Sequence, residues 1–199
     1  MRKSLILALA ISMAAPVAVS AAPVMTVGFS PSNDLGALQI VLSAIDGAKR
    51  NIDVAAYSFT SKPVATALIA AGKRGVSVRV VADEKANNDR YTAVTFLTNQ
   101  GVPVRLNNQY AIMHNKFMVV DGDTVQTGSF NYTASAAKRN AENALLVQGS
   151  PELAKTYQAE FNRLWNESRQ QDSRYPDQPS WYSGKHKRGS SIPVIDVVK

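Results

Sequence analysis

His114, Lys116, Asp121, Gly128, Ser129 and Asn131 follow one another with the spacing H-x-K-x4-D-x6-G-S-x-N, and their side-chain types suit chemistry at a phosphorus centre. An imidazole can attack phosphorus or donate a proton, and a fixed cation beside it stabilises charge developing on the phosphoryl oxygens. The run from 116 to 121 alternates like a strand, which projects His114 and Lys116 to the same side. Gly128, Ser129 and Asn131 then add a flexible backbone, a hydroxyl and a carboxamide at the end of the next strand, all suited to a phosphate oxygen.

Each piece alone has an ordinary reading. His-x-Lys beside a strand is commonly solvated surface, and Asn after Gly-Ser is commonly a turn. Six fixed positions at roughly 5% each arise by chance in a chain of this length less often than about once in a hundred thousand, so the joint spacing outweighs the separate readings. Asp121 differs from the rest. Asp121-Gly122 between two alternating apolar runs is what a two-residue hairpin requires, and a structural role is expected for it.

The motif resembles the signature of the phospholipase D superfamily, in particular its small bacterial endonuclease branch. Residues 51–60 (NIDVAAYSFT) and 78–83 (VRVVAD) are similar to the same branch, so the resemblance runs from about Pro23 to Arg169. It implies phosphodiester hydrolysis through a phosphohistidine on His114, with Lys116, Ser129 and Asn131 around the phosphate and Gly128 as a structural member. It also implies an acidic residue hydrogen-bonded to the second nitrogen of the imidazole, fixing its tautomer. Glu142, in the segment Asn140-Ala-Glu-Asn143 that opens a strand over 144–148, is the candidate; an exposed strand-end carboxylate is the alternative.

A covalent route needs a neutral nucleophile and a second, protonated group for the leaving oxygen. The chain has two histidines, and His186 sits in a polar tail; there is no second H-x-K and no internal repeat. The missing imidazole is therefore expected from a second copy of the chain, as a two-fold dimer supplies. The resemblance implies the same arrangement, with His114, Lys116, Ser129 and Asn131 of both copies lining one cleft.

The beginning of the chain reads as a secretory signal peptide over 1–21. Arg2 and Lys3 precede an apolar stretch over 5–15, and Val19-Ser20-Ala21 supplies the small residues of a cleavage site. The expected product is periplasmic or secreted, with no integral membrane association. Absence of cysteine removes both disulfide staples and thiolate ligands, and no H-x-H or H-E-x-x-H occurs, so neither a catalytic metal nor another cofactor is expected. Asp83-Glu84 and Asp121 with Asp123 read as solubilising residues at turns and strand ends.

The formal charge is +7, and it stays positive when Arg2 and Lys3 are removed, which favours a polyanionic substrate such as nucleic acid or an anionic lipid surface. Three clusters stand out: Lys73-Arg74, Lys138-Arg139, and Lys185, Lys187 and Arg188 around His186. The last two are the candidates for nucleic-acid contact, and Trp181-Tyr182 beside the third could stack on bases. A solvated face is the plain alternative for each.

The elements that must position these residues alternate. Strands are expected over 24–29, 51–59, 76–82 and 102–106, helices over 33–50, 62–73, 91–99 and 151–169, and a hairpin from 116–120 with 124–127. Such alternation argues for an α/β fold, a mixed sheet flanked by helices on both faces in a phospholipase D-like sandwich over 22–169, with a flexible basic tail over 170–199. The reading that follows is a metal-independent phosphodiesterase acting as an endonuclease on DNA or RNA with little sequence preference. Phospholipid hydrolysis, or a catalytically silent nucleic-acid-binding module, are the alternatives.

Overall fold

A computed structural model describes residues 21–34, 36–89 and 92–171. The expected signal peptide and the tail residues Trp181, Tyr182, Lys185, His186, Lys187 and Arg188 lie outside the described residues. In chain order the elements are β1 (Val24–Ser30), α1 (Gly36–Gly47), β2 (Asn51–Ala56), α2 (Lys62–Lys73), β3 (Ser77–Asp83), a 3-10 turn (Lys85–Asn87), α3 (Ala93–Asn99) and β4 (Val104–Asn107). There follow β5 (Lys116–Val120), β6 (Thr124–Gly128), α4 (Ala134–Lys138), β7 (Glu142–Gln148), α5 (Pro151–Glu167) and β8 (Arg169–Gln170).

Period-two alternation within the central strands decides the layering. Ile52, Val54 and Ala56 of β2, Val80 and Ala82 of β3, and Met118 and Val120 of β5 enter one buried cluster. Their neighbours Ala55, Val81, Phe117 and Val119 enter a second. A sheet apolar on both sides must be covered on both. Helices α1 to α4 cover the first face through residues such as Val41, Ile45, Leu68, Val94 and Ala136. Helix α5 covers the second with Ala154, Phe161 and Leu164. The strands form one mixed sheet in the order β1-β7-β6-β5-β2-β3-β4-β8, parallel between β2, β3 and β4 and antiparallel elsewhere. This is the α/β sandwich expected from the alternation. Among the described residues no helix is long and apolar enough to cross a membrane.

Local chemistry explains where the boundaries fall. Helix α2 keeps its expected ends because Ser61 caps it by accepting from the Val64 N–H, Pro63 fits its first turn, and Gly75 leaves it at φ +92°. Helix α1 starts at Gly36, later than expected, because the Ser32 hydroxyl takes the Gly36 N–H and holds the preceding residues as a turn. Strand β2 stops at Ala56 rather than 59, since the Tyr57 carbonyl and the Phe59 N–H both bond to the Asn87 carboxamide instead of a neighbouring strand. At the other end, Gln170 pairs with Arg105 across β4 and β8, so sheet pairing reaches into the stretch read as tail.

Helix α5 is fastened by more than apolar contact. Asp53, 3% exposed, accepts two bonds from Arg79 and one from Gln158 of the helix, while the Arg79 guanidinium lies 5.0 Å from the Phe161 ring and 5.3 Å from Trp165. A buried carboxylate is tolerated because it is fully paired.

Asp121 joins two turns. It sits in the β5–β6 hairpin at φ 54°, and its carboxylate accepts the N–H groups of Lys49, Arg50 and Asn51 at 2.7–2.9 Å. Burial works against its ionisation, yet the three N–H donors and the Arg50 charge outweigh it and hold its pKa below the ordinary aspartate value of 3.8. A depressed carboxyl pKa contributes stability above the ordinary value and loses it as pH falls through the folded value. Asp121→Ala should therefore lower the unfolding free energy at pH 7 by about 2 kcal/mol, through lost bonds and a left-handed backbone without a tolerant residue. Asp121→Asn, which tolerates that backbone and keeps one acceptor, should cost less. Urea titrations at neutral and strongly acidic pH check this, with the gap between wild type and Asp121→Ala narrowing in acid.

Candidate active site

Antiparallel neighbours bring opposite strand ends together, and the cleft lies at one such edge. The first residue of β5, Lys116, pairs with the last of β2, Ala56; the last of β6, Gly128, lies opposite Ala144 of β7. The cleft is about 520 Å³, and its walls include His114, Lys116, Gly128, Ser129, Asn131 and Glu142. Residues far apart in sequence thus meet where an α/β sheet ordinarily places a ligand, beyond its strand ends.

Lys116 is 8% exposed, a buried ammonium at the start of a strand. Its Nζ donates to the carbonyl oxygen of His114 at 2.6 Å and lies 5.3 Å from the centre of the Tyr57 ring. Burial depresses its pKa below the ordinary lysine value, with the Glu142 carboxylate pulling the other way. The imidazole of His114 is exposed, and it meets Tyr57 edge to face, ring centres 4.6 Å apart at 60°. His114 itself precedes β5, so its placement depends on the loop before it as well as on strand alternation.

Gly128 lets β6 and β7 close on one another. At φ +149° any Cβ would fall 2.3 Å from the Asn143 carbonyl oxygen, so a larger residue would push the cleft wall apart. Ser129 spends its hydroxyl proton on Glu142 Oε2 at 2.6 Å and accepts from the Asn143 N–H at 3.1 Å. Its hydroxyl therefore braces the acidic residue rather than standing free as a donor. Glu142 also accepts from Asn140 at 3.0 Å. Among the described residues its carboxylate is engaged by Ser129 and Asn140, not by the His114 imidazole that the resemblance had implied. Glu142 opens β7 while His114 precedes β5, with β6 between those two strands, and Ser129 at the end of β6 reaches the carboxylate first. The Asn131 carboxamide oxygen is buried without a hydrogen-bond partner, an unspent polar atom in the cleft wall.

Other expected residues stand apart. Asp121 is occupied at the opposite end of β5. Lys138 and Arg139 are exposed at the end of α4, outside the cleft lining, and Arg139 donates to Ser135. Arg74 is tied to the carbonyls of Ile45 and Asp46 and braces α2 against α1. Among the described residues no three His, Asp or Glu side chains cluster as metal ligands would. Tyr57, Thr127 and Tyr157 were not singled out in the sequence, although Thr127 and Tyr157 line the cleft and Tyr57 touches both catalytic candidates. Thr127 directly precedes the Gly-Ser pair, and Tyr57 lies within the 51–60 segment, where a half-exposed aromatic after a buried strand was the available signal.

Comparison with known proteins agrees with the fold. The family described as "Cardiolipin synthase, PLD-like domain" matches residues 41–165. The mitochondrial cardiolipin hydrolase of Xenopus laevis is 39% identical over 121 residues, 61% of this chain and 57% of the relative. A phospholipase D of Rickettsia conorii is 36% identical over 122 residues, 61% of this chain and 60% of the relative. The match thus spans less than two thirds of those curated relatives. Among solved structures, the phospholipase D family member Nuc from Salmonella typhimurium superposes with a TM-score of 0.73 at 42% identity, covering 76% of this chain and 99% of that one. NucT from Helicobacter pylori, at a TM-score of 0.68 and 24% identity over 75% of this chain and 99% of that one, shares the fold.

The lowered Lys116 pKa has a consequence for stability. The fold penalises the charged amine, so the penalty is full below the depressed pKa and relieved as pH rises towards the ordinary 10.5. Lys116→Met should accordingly melt at or above the wild-type temperature near neutral pH, with its advantage shrinking in alkali. Thermal melts from pH 7 to about 10 check this; a strongly destabilised variant at neutral pH would mean that Lys116 is there to hold the fold.

Proposed function

The chain belongs to the phospholipase D-like domain family, and on that premise we propose that it is a phosphodiesterase acting on nucleic acid as an endonuclease with little sequence preference. The observation that carries the reading is the convergence of His114, Lys116, Ser129, Asn131 and Glu142 on one open cleft. In the proposed reaction an imidazole nitrogen of His114 attacks phosphorus, and a P–N bond forms as the P–O bond to the leaving group breaks. The leaving oxygen takes a proton from a second group. Water then attacks phosphorus as the second group takes its proton back from it, the P–N bond breaks, and a phosphomonoester departs with the imidazole free. Lys116 stabilises the charge on the phosphoryl oxygens, which is the work a divalent ion does elsewhere, so activity is expected to persist in excess chelator. Asn131 offers its carboxamide to the same oxygens, and Glu142, braced by Ser129, raises the negative field beside the ammonium.

The second group is proposed to be His114 of another copy, the described residues containing no other histidine. The surface supports self-association. Strand β1 forms an edge of the sheet and exposes Val24, Met25, Val27 and Phe29 by 52–67%. Its Phe29 and Ser30 pair with Asn143 and Glu142, so this apolar strip runs up to the wall of the cleft. Secretion to the periplasm or beyond, after removal of residues 1–21, is part of the same proposal, as is contact of Lys185, Lys187 and Arg188 with nucleic acid.

Nucleic acid is favoured by the basic balance of the chain and by the likeness to Nuc at 42% identity over nearly all of that protein. A second reading, hydrolysis of a phospholipid, is favoured by the names of the relatives and by Tyr110 and Ile112, exposed by 39% and 46% in the loop that leads to His114. Purified protein assayed in EDTA against plasmid DNA, RNA, and cardiolipin or phosphatidylcholine vesicles distinguishes them: nicked and linearised plasmid is expected, and lipid turnover without DNA cleavage would overturn the nuclease reading.

Shared sites leave a signature in mixtures. If wild-type and His114→Ala chains are unfolded and refolded together in equal amounts, random pairing leaves about half of the wild-type chains with a wild-type partner. Activity per wild-type chain should fall to about half. Unchanged activity would mean that each chain carries a complete site.

A further inference from the structure

Beyond the cleft, the end of β3 and the 3-10 turn after it carry two buried polar side chains that the proposed reaction does not use. Asp83 is 2% exposed and Asn87 is fully buried. Buried groups of this kind are costly unless their bonds are made, and where those bonds go shows what the groups hold in place. Asp83 Oδ2 accepts the Met113 N–H at 2.7 Å, one residue before His114, while Oδ1 accepts the Ala86 N–H at 2.8 Å. Asn87 donates to the Tyr57 carbonyl at 2.6 Å and to the Asp83 carbonyl at 2.8 Å, and its oxygen accepts the Phe59 N–H at 3.0 Å. Neither Asp83 nor Asn87 lines the cleft. The sequence reading of Asp83 as a solubilising residue is overturned: its carboxylate is turned inward and committed to two backbone amides.

These bonds converge on His114 from two sides. Through Met113 the Asp83 carboxylate fixes the backbone that leads into the imidazole. Through Tyr57 the Asn87 carboxamide fixes the ring that meets the imidazole edge to face at 4.6 Å and lies 5.3 Å from the Lys116 ammonium. We propose that Asp83 and Asn87 form a buried bracket that positions His114 and Lys116, with Tyr57 as its contact surface. They act through other residues and are positioning residues, not catalytic ones. A nucleophile before the start of a strand lacks the ladder bonds that would orient it, and a misplacement of about 1 Å can cost about a hundredfold in rate. The bracket supplies that missing orientation. This inference rests on the reading of His114 as the reacting group for its kinetic consequence, but its geometric content stands apart from turnover.

The test therefore has two readouts. The chain has two histidines, so the His114 ring protons can be assigned by NMR by comparison with His114→Ala. Tyr57→Leu removes the aromatic ring beside them, and Asp83→Asn leaves one of the two backbone amides without an acceptor. Both variants should shift the His114 ring resonances. Both should lower kcat on bis(4-nitrophenyl) phosphate by about tenfold to a hundredfold with KM within about twofold. Asp121→Asn, altered far from the cleft, serves as the control and should leave the His114 resonances in place. Tyr57→Leu moves those resonances by loss of ring current alone, so Asp83→Asn carries the geometric test; should it fail to fold, Asn87→Ser, which removes the donor to the Tyr57 carbonyl, takes its place. His114 resonances unmoved in that folded variant would overturn the bracket whether or not the protein cleaves the substrate. Shifted resonances in a wild-type protein that turns over no phosphodiester would instead sustain the bracket and overturn the proposed function.

Discussion

A buried ammonium at the first position of β5, bonded to the carbonyl of the residue two places before it, is the interaction around which the cleft is organised. An amine 8% exposed is held where burial opposes its charge, and it is tolerable only because its surroundings are arranged to receive it. The His114 carbonyl accepts from it, the Tyr57 ring lies near it, and the Glu142 carboxylate supplies opposite charge. Those partners come from three different stretches of the chain. The order that sets β5 between β2 and β6, with β7 beyond, brings those partners to one place. A cation kept poorly hydrated interacts strongly with a phosphoryl group entering the cleft, because little water must be displaced and little reorganisation is needed.

The same view explains why the acidic residue and the hydroxyl are found together. Ser129 is bonded to Glu142 and to the backbone of Asn143, so the end of β6 and the start of β7 form one rigid wall. Gly128 permits it by letting the two backbones approach more closely than a Cβ would allow. Asn131 Oδ1 is buried without a partner in that wall, and the braced carboxylate lines the same cleft as the imidazole. Tyr110 and Ile112 are exposed in the loop that leads to His114, and Lys138 and Arg139 at the end of α4, outside the cleft lining.

Much of this was legible in the sequence because it depends on short-range rules. Alternation in 116–120 and 124–127 gave the hairpin, Ser61, Pro63 and Gly75 bounded α2, and the spacing from His114 to Asn131 named residues that do share one cleft. What escaped depends on contacts between distant segments. Nothing local in Asp83 distinguishes a buried bracket from a solvated carboxylate, since its partner Met113 is thirty residues away. The early end of β2 follows from Asn87, equally remote. The five-residue helix α4 is too short for periodicity to register, and Glu142 was assigned a partner by resemblance when its nearest donor was Ser129. The tail beyond residue 171 lies outside the described residues, and its basic cluster stands where the sequence left it.

The central claim is that the His114 imidazole attacks phosphorus. The most direct measurement is rapid alkaline or denaturant quenching during turnover of a phosphodiester, followed by peptide mass spectrometry under conditions that preserve phosphoramidates. The account predicts a substrate-derived phosphoryl group on the peptide containing His114, appearing within the first turnover and lost on further incubation. A phosphoryl group on another residue, or none while product forms at full rate under conditions where added phosphohistidine survives, would contradict it.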